Sequence, residues 1–366
     1  MKVVIIGGVA GGATAAARIR RLDEKAEIVV FERSGFISYA NCGLPYYIGG
    51  TIEDEDDLTL QTPESFYKRF RVKMNVRHEV TALHPESKMV TVKNIENGTV
   101  FTETYDKLIL SPGAKPIKPN FEGIDSDKIF TLRTVEDTLK IKKFINEKYP
   151  KSAVVVGGGF IGIEVAENLR ELEIDVTLVE AADQLMAPFD SDMASFIHAE
   201  LRKNGVNLML GRFVEGFADT DDGICVKLKN SPTLHANMVV MAIGVAPETT
   251  LAKDAGLELG IKGSIVVNDR METSVTDIYA VGDAVQIRNF VTDTDALISL
   301  AGPANKQGRI AADNICGIDS RYRGGQGSSV IKLFDMTAAS TGINEKTAKA
   351  LGLSTDKVIL SPMSYA

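Results

Sequence analysis

The residues best suited to chemistry lie in Ser38-Tyr39-Ala40-Asn41-Cys42-Gly43-Leu44-Pro45-Tyr46. A single Cys stands there between a capping-type Asn and a Gly, with Pro three residues on. That pattern reads as a helix N-terminus, where unpaired N–H groups and the helix dipole favour an anion. A thiolate so placed has a lowered pKa and attacks better at neutral pH. The competing reading is a buried Cys acting as a small hydrophobe, its commoner role. Two nucleotide-binding signatures around this Cys favour the chemical reading.

The first signature precedes it. Val3-Val4-Ile5-Ile6 is a short apolar run, as for a strand buried on both faces. It enters Gly7-Gly8-Val9-Ala10-Gly11-Gly12, and an Ala-rich helix is expected over Ala13 to Leu22. A second strand, Ile28-Val29-Val30-Phe31, ends in Glu32. Glycines let the backbone turn tightly against a pyrophosphate at the helix start, and the acid accepts from a ribose diol. Val9 replaces the usual middle Gly, so a plain glycine turn remains the alternative. The second signature is complete: Val154-Val155-Val156, Gly157-Gly158-Gly159-Phe160-Ile161-Gly162, then Val176 to Val179 ending in Glu180. Glu180 would repel a 2′-phosphate, which favours NADH over NADPH. The two copies lie 150 residues apart. The repeat continues: Val239 to Pro247 echoes Leu108 to Pro116, read as the chain crossing into a second unit and back. Two dinucleotide sites imply two dinucleotides, one held permanently (FAD) and one exchanging (NADH).

Between these units, residues 78–111 turn to a period of two with an Asn97-Gly98 hairpin signal, which reads as an antiparallel insertion. Further on, Asp277-Ile278-Tyr279-Ala280-Val281-Gly282-Asp283 is a short strand ending in Gly-Asp. Asp283 suits flavin ribityl hydroxyls, or caps a turn. Ala301 to Arg309 opens a helix running to about Cys316 with Gly317 as its cap, and its N-terminus would stabilise charge on a reduced flavin ring. Cys225 and Cys316 read as packing residues in a strand and in that helix.

Composition narrows the class. Apolar residues make up 44% and charged residues 25% of 366, ordinary for a globular protein. A net charge of −8 disfavours a broad nucleic-acid surface. No run of about 18 apolar residues suggests a membrane span. The glycine-broken start does not read as a signal peptide. Three Cys without a Cys-x-x-Cys pair fit a reducing cytoplasm, and four scattered His give no metal-ligand spacing, so no metal is expected.

On the Gly7–Gly12 loop, Tyr39 to Tyr46, Gly157 to Glu164, Asp277 to Asp283, Leu300 to Arg309 and the tail Lys332 to Ala339, the chain resembles the single-cysteine flavoprotein disulfide reductases, coenzyme A disulfide and persulfide reductases above all. The resemblance implies an α/β fold of two Rossmann-like domains, for FAD and NAD, with antiparallel β insertions and the start of a dimer-interface domain. The expected boundaries are 1–113 and 246–324 for the FAD domain, 114–245 for the NAD(P)H domain and 325–366 for the interface domain. It implies that Cys42 is the redox-active nucleophile. FAD contacts are implied at Gly7, Gly8, Val9, Ala10, Gly11, Gly12, Glu32, Arg33, Asn41, Val80, Ser111, Pro112, Gly113, Arg133, Gly282, Asp283 and Ala301. Nicotinamide-nucleotide contacts are implied at Gly157, Gly159, Phe160, Ile161, Gly162, Glu164, Glu180 and Gly244. Coenzyme A is placed near Thr14, Arg18, Arg21, Ser38 and Asn41. Arg18 and Arg21 share a helix face that could bind phosphates or merely be solvated.

Related oxidases and peroxidases carry a His where this chain has Ala10, which favours a thiol substrate. An NADH oxidase or peroxidase using a Cys42 sulfenate and a low-turnover flavin redox sensor remain the alternatives. Relatives are longer homodimers, some with a rhodanese domain. This chain is expected to stop at Ser364-Tyr365-Ala366 within the interface domain.

Overall fold

The computed structural model describes residues 1–362; residues 363–366, which include the last expected interface residues, lie outside the described part. Two five-stranded parallel sheets carry the molecule. In the first, the strands run 278–280, 107–110, 2–6, 27–31, 73–75 across the sheet; in the second, 129–131, 238–241, 152–156, 175–180, 207–210. The orders are equivalent, so the sequence repeat is a structural one. Registers repeat too: Lys2 faces Glu27 and Ser152 faces Asp175. Val3, Val4 and Ile5 are fully buried, as are Val155, Met238 and Val240. A strand covered on both faces needs an unbroken apolar run, and each such side chain contributes about 1.5–3 kcal/mol.

Each unit has an antiparallel three-stranded sheet beside it: 78–84, 89–94 and 100–104 in the first, 214–220, 223–228 and 234–236 in the second. The Asn97-Gly98 turn joins two strands of the former, with Gly98 at φ +75°. The two crossing segments pair with each other: Ala114–Pro116 runs antiparallel to Val245–Pro247, Lys115 facing Ala246.

The first glycine-loop helix begins at Ala10, three residues before the expected Ala13. Gly11 and Gly12 are poor helix formers that hide this start in sequence. They belong to the helix because close packing needs them: a Cβ on Gly12 would sit on the Gly7 carbonyl oxygen. Helix Ala301–Ile315 lies against this first helix, with Gly308 over the Gly11 carbonyl, and Gly317 follows its end at φ +83°.

The Cys42 segment forms a 3₁₀ turn, Asn41–Gly43, running into the short helix Leu44–Gly49. That helix packs on helices Val135–Lys148 and Phe160–Glu171 of the second unit, burying Leu44 and Ile48 among Ile141, Ile163 and Val165. The hairpin Ser329–Leu333 with Met336–Ser340 puts Ile331, Leu333 and Phe334 into the same core. No helix among the described residues is long and apolar enough to cross a membrane.

Candidate active site

The two glycine loops are built alike. Glu32 Oε2 accepts from the Gly8 N–H at 2.8 Å and Oε1 from the Ser34 N–H at 2.8 Å. Glu180 Oε2 accepts from Gly158 N–H at 2.6 Å and Oε1 from Ala182 N–H at 2.7 Å. Each acid therefore ties its glycine loop to its strand end before any ribose arrives. Burial pushes the Glu32 carboxyl up, and those two N–H bonds pull it back.

These residues fit two dinucleotides. A Cβ on Gly162 would meet the Gly157 carbonyl oxygen, while one on Gly159 would meet open space, so the backbone at Gly159 stays accessible to a phosphate. Gly157 and Gly244 have φ of +108° and +112°, and a Cβ on Gly157 would collide with the Ala242 carbonyl. In the first unit a cavity of about 340 Å³ opens over Gly7 and is lined by Glu32, Arg33, Val80 and Pro112. His78 and Thr250 also line it; sequence reasoning did not place them there, and no motif marks them.

The far half of the first site is assembled from distant segments. Arg133 donates to Asp283 Oδ2 at 2.5 Å, joining two expected FAD contacts 150 residues apart. Gly282 N–H donates to the Gln307 side chain at 2.7 Å, and Gln307 is buried. Gln307 thus fixes the Gly-Asp turn, a role the sequence did not reveal. Ser111 N–H bonds the Ile6 carbonyl and Gly113 accepts from Glu248 N–H, which places Ser111, Pro112 and Gly113 between the loop and the crossing strands. Ala301 starts its helix with Leu300 as the cap, beside the Gly282–Ala284 turn on which that helix packs.

Cys42 reaches solvent at the seam between the units. The expected lowering of its pKa is not found in the chain alone. Partial burial and the Glu164 carboxylate push the thiol up, against a smaller pull from its own backbone N–H. Six helical residues provide a weak dipole, and a neighbouring carboxylate opposes a thiolate. Glu164 lies on helix Phe160–Glu171; burial, then Glu167, pushes it up to about 7. Tyr46 is pushed up to about 12 by burial, with Glu164, Glu167 and Cys42 adding to it. Helix Leu44–Gly49, which follows the Cys42 turn and carries Tyr46, packs on the Glu164 helix, so Cys42, Tyr46 and Glu164 share one site, two from the first unit and one from the second. Phe160 and Ile161, at the start of the Glu164 helix, pack partly buried against its core.

Three of the side chains expected near coenzyme A, Thr14, Arg18 and Arg21, are already engaged. Thr14 donates to Asn305 at 2.8 Å and Arg18 to Asp313 at 2.7 Å. Arg21 stands 5.4 Å over the Phe70 ring. Ser38, at φ +49°, donates its N–H to the Gly8 carbonyl, so it links the first loop to the Asn41–Cys42 turn.

Paired nucleotide folds with one thiol at their seam define a class: oxidoreductases that bring a dinucleotide pair to a reactive sulfur. The chain belongs to the pyridine nucleotide-disulphide oxidoreductase family, whose model matches residues 1–308. It is 38% identical to a coenzyme A disulfide reductase of Staphylococcus aureus over 349 residues, 95% of this chain and 78% of that one. Among solved structures, reduced CoADR-RHD of Bacillus anthracis superposes with a TM-score of 0.94 at 49% identity, covering 96% of this chain and 63% of that one. An NAD-dependent persulfide reductase from A. fulgidus gives 0.92 at 37% identity, covering 97% and 66%. The chain thus spans somewhat less than two thirds of those two longer proteins.

Proposed function

We propose that this chain is an FAD-dependent reductase that passes electrons from NADH to Cys42 and on to coenzyme A disulfide or a coenzyme A persulfide. The observation that carries this reading is the packing of the helix that follows Cys42, Leu44–Gly49, on the Glu164-bearing helix opened by the second glycine loop. The likeness to the coenzyme A disulfide and persulfide reductases supports the substrate class.

In this reading FAD lies along Gly7–Gly12, Glu32, Arg33, Val80, Arg133, Asp283 and Ala301, and NADH along Gly157, Gly159, Gly162 and Glu180. Bound FAD would supply the two electrons, taken from NADH, that cleave a disulfide on Cys42. Cys42 attacks one sulfur of the substrate; the S–S bond breaks, one thiolate leaves, and the other half stays on Cys42. Glu164 holds or releases a proton beside that sulfur near neutral pH. Thr14, Arg18, Arg21, Ser38 and Asn41 form the coenzyme A side, with Asp313 yielding Arg18 to an incoming phosphate. Residues 1–113 and 246–324 form the flavin unit, 114–245 the nicotinamide unit, and 325 onward the start of an interface unit. The protein acts as a cytoplasmic homodimer; its three free cysteines suit a reducing compartment.

NADH consumption, measured anaerobically with coenzyme A disulfide and separately in air without it, tests the reading. Turnover is expected with coenzyme A disulfide, with little with oxygen alone. Cys42→Ser should keep the NADH-driven bleaching of the flavin and lose more than 100-fold, about the loss of an essential nucleophile, in disulfide turnover. Undiminished turnover in that variant, or turnover with oxygen only, overturns it.

A further inference from the structure

The outer antiparallel sheet of the second unit holds a sulfur–imidazole pair that the reading above does not use. Cys225, on strand Gly223–Leu228, faces His235 on the neighbouring strand Leu234–Ala236 as its register partner. Cys225 Sγ lies 3.2 Å from His235 Nδ1 and 3.9 Å from Nε2. Ile224, Val226 and Leu228 are buried in the core, so strand alternation turns Cys225 outward. On its other side Cys225 faces Ala218, whose methyl group leaves room beside the sulfur. The sulfur residue keeps partial solvent exposure and His235 is exposed. Lys227, two residues on, is occupied by Glu122 at 2.8 Å. No group of three His, Cys, Asp or Glu that could hold a metal exists among the described residues. The pair is therefore a nucleophile with a base in reach rather than a ligand set.

We propose that Cys225, with His235 as its base, is a second thiol that low-molecular-weight disulfides modify reversibly. His235 Nδ1 takes the S–H proton as Sγ attacks one sulfur of R–S–S–R. The Cys225 Sγ–S bond forms, the S–S bond of the reagent breaks, and the leaving R–S⁻ thiolate takes the proton from the imidazolium. One thiol is oxidised to a mixed disulfide and one half of the reagent is reduced to a thiol, so no further oxidant is needed. Excess free thiol runs the exchange backwards. The site is independent of Cys42 and of the nucleotide loops.

The test uses the FAD-loaded protein, glutathione disulfide as the probe, and mass spectrometry of the separate peptides carrying Cys42, Cys225 and Cys316. A glutathionyl adduct on the Cys225 peptide, removed by reduced glutathione, is expected. His235→Ala and His235→Gln should each slow its formation about tenfold at neutral pH, less than the roughly 100-fold or more of an enzymatic base because a free thiol is already partly ionised there. Cys225→Ser should lose the adduct and leave NADH-driven turnover unchanged. An unmodified Cys225 peptide, or equal adduct rates in wild type and both His235 variants, overturns the proposal. The readout is an adduct and not turnover, so its failure is separate from failure of the reductase reading.

Discussion

At the scale of single residues, the site turns on carboxylates whose neighbours decide their charge. Glu164 opposes ionisation of Cys42, so Glu164→Gln should speed alkylation of Cys42 by iodoacetamide about threefold at pH near 8, read from the rate of thiol loss. An unchanged rate would mean the two groups do not feel each other. Glu180 adds a lesson that sequence alone could not supply. Its carboxylate holds the Gly158 and Ala182 N–H groups, so Glu180→Arg removes two loop bonds along with the charge that repels a 2′-phosphate. The expected result is a shift in preference toward NADPH together with a higher KM for both nucleotides; a higher KM for NADH alone would show that the loop does not need the acid. The positions of Glu32 and Glu180 at their strand ends, and of Cys42 at the start of a helix, were legible because motif spacing marks them. Gln307 and the Arg133–Asp283 pair were only partly so, since their roles depend on partners far along the chain.

At the scale of elements, the parallel strands were readable as unbroken apolar runs between glycines. The start of the first helix was not, because Gly11 and Gly12 serve packing against propensity. The three-stranded sheet around Cys225 was also hidden beyond its one strand, since Leu234–Ala236 is too short to show alternation. One contact between elements carries a buried charge question. Glu167, on the same helix as Glu164, accepts from the Phe334 N–H at 2.6 Å, and its Oε2 has no partner among the described residues. Burial pushes this carboxyl up. Glu167→Ala should leave the Phe334 N–H unsatisfied at a cost of about 1–3 kcal/mol. Hydrogen exchange would show it as lost protection across residues 329–340; retained protection would mean the hairpin is held by Ile331 and Leu333 alone. Gly308→Val should destabilise the chain by roughly 1–3 kcal/mol through overpacking against the Gly11 carbonyl, measured as a lower denaturation midpoint.

At the scale of the molecule, Glu164 makes stability depend on pH in a direction that can be worked out. Its folded value of about 7 exceeds its ordinary 4.5, so the folded chain binds that proton more tightly. The stability it contributes is full below about 4.5 and is lost as pH rises to about 7. Aspartates held low by ion pairs, such as Asp277 with Lys107 and Lys88, are ionised throughout that window and do not change across it. His198, lowered by burial, works in the opposite sense below its ordinary 6.5. Calorimetry should therefore find a smaller fall in Tm from pH 5 to pH 8 in Glu164→Gln than in wild type. The antiparallel pairing of Ala114–Pro116 with Val245–Pro247 has its own consequence. Departure and return share one narrow gateway, so the second unit is a nested loop joined to the first at a single two-ply strap. Because Leu44 and Ile48 sit in the second unit's core, a swing about the strap would carry the Cys42 turn along with Glu164 and keep the two together without disturbing the strand order of either sheet.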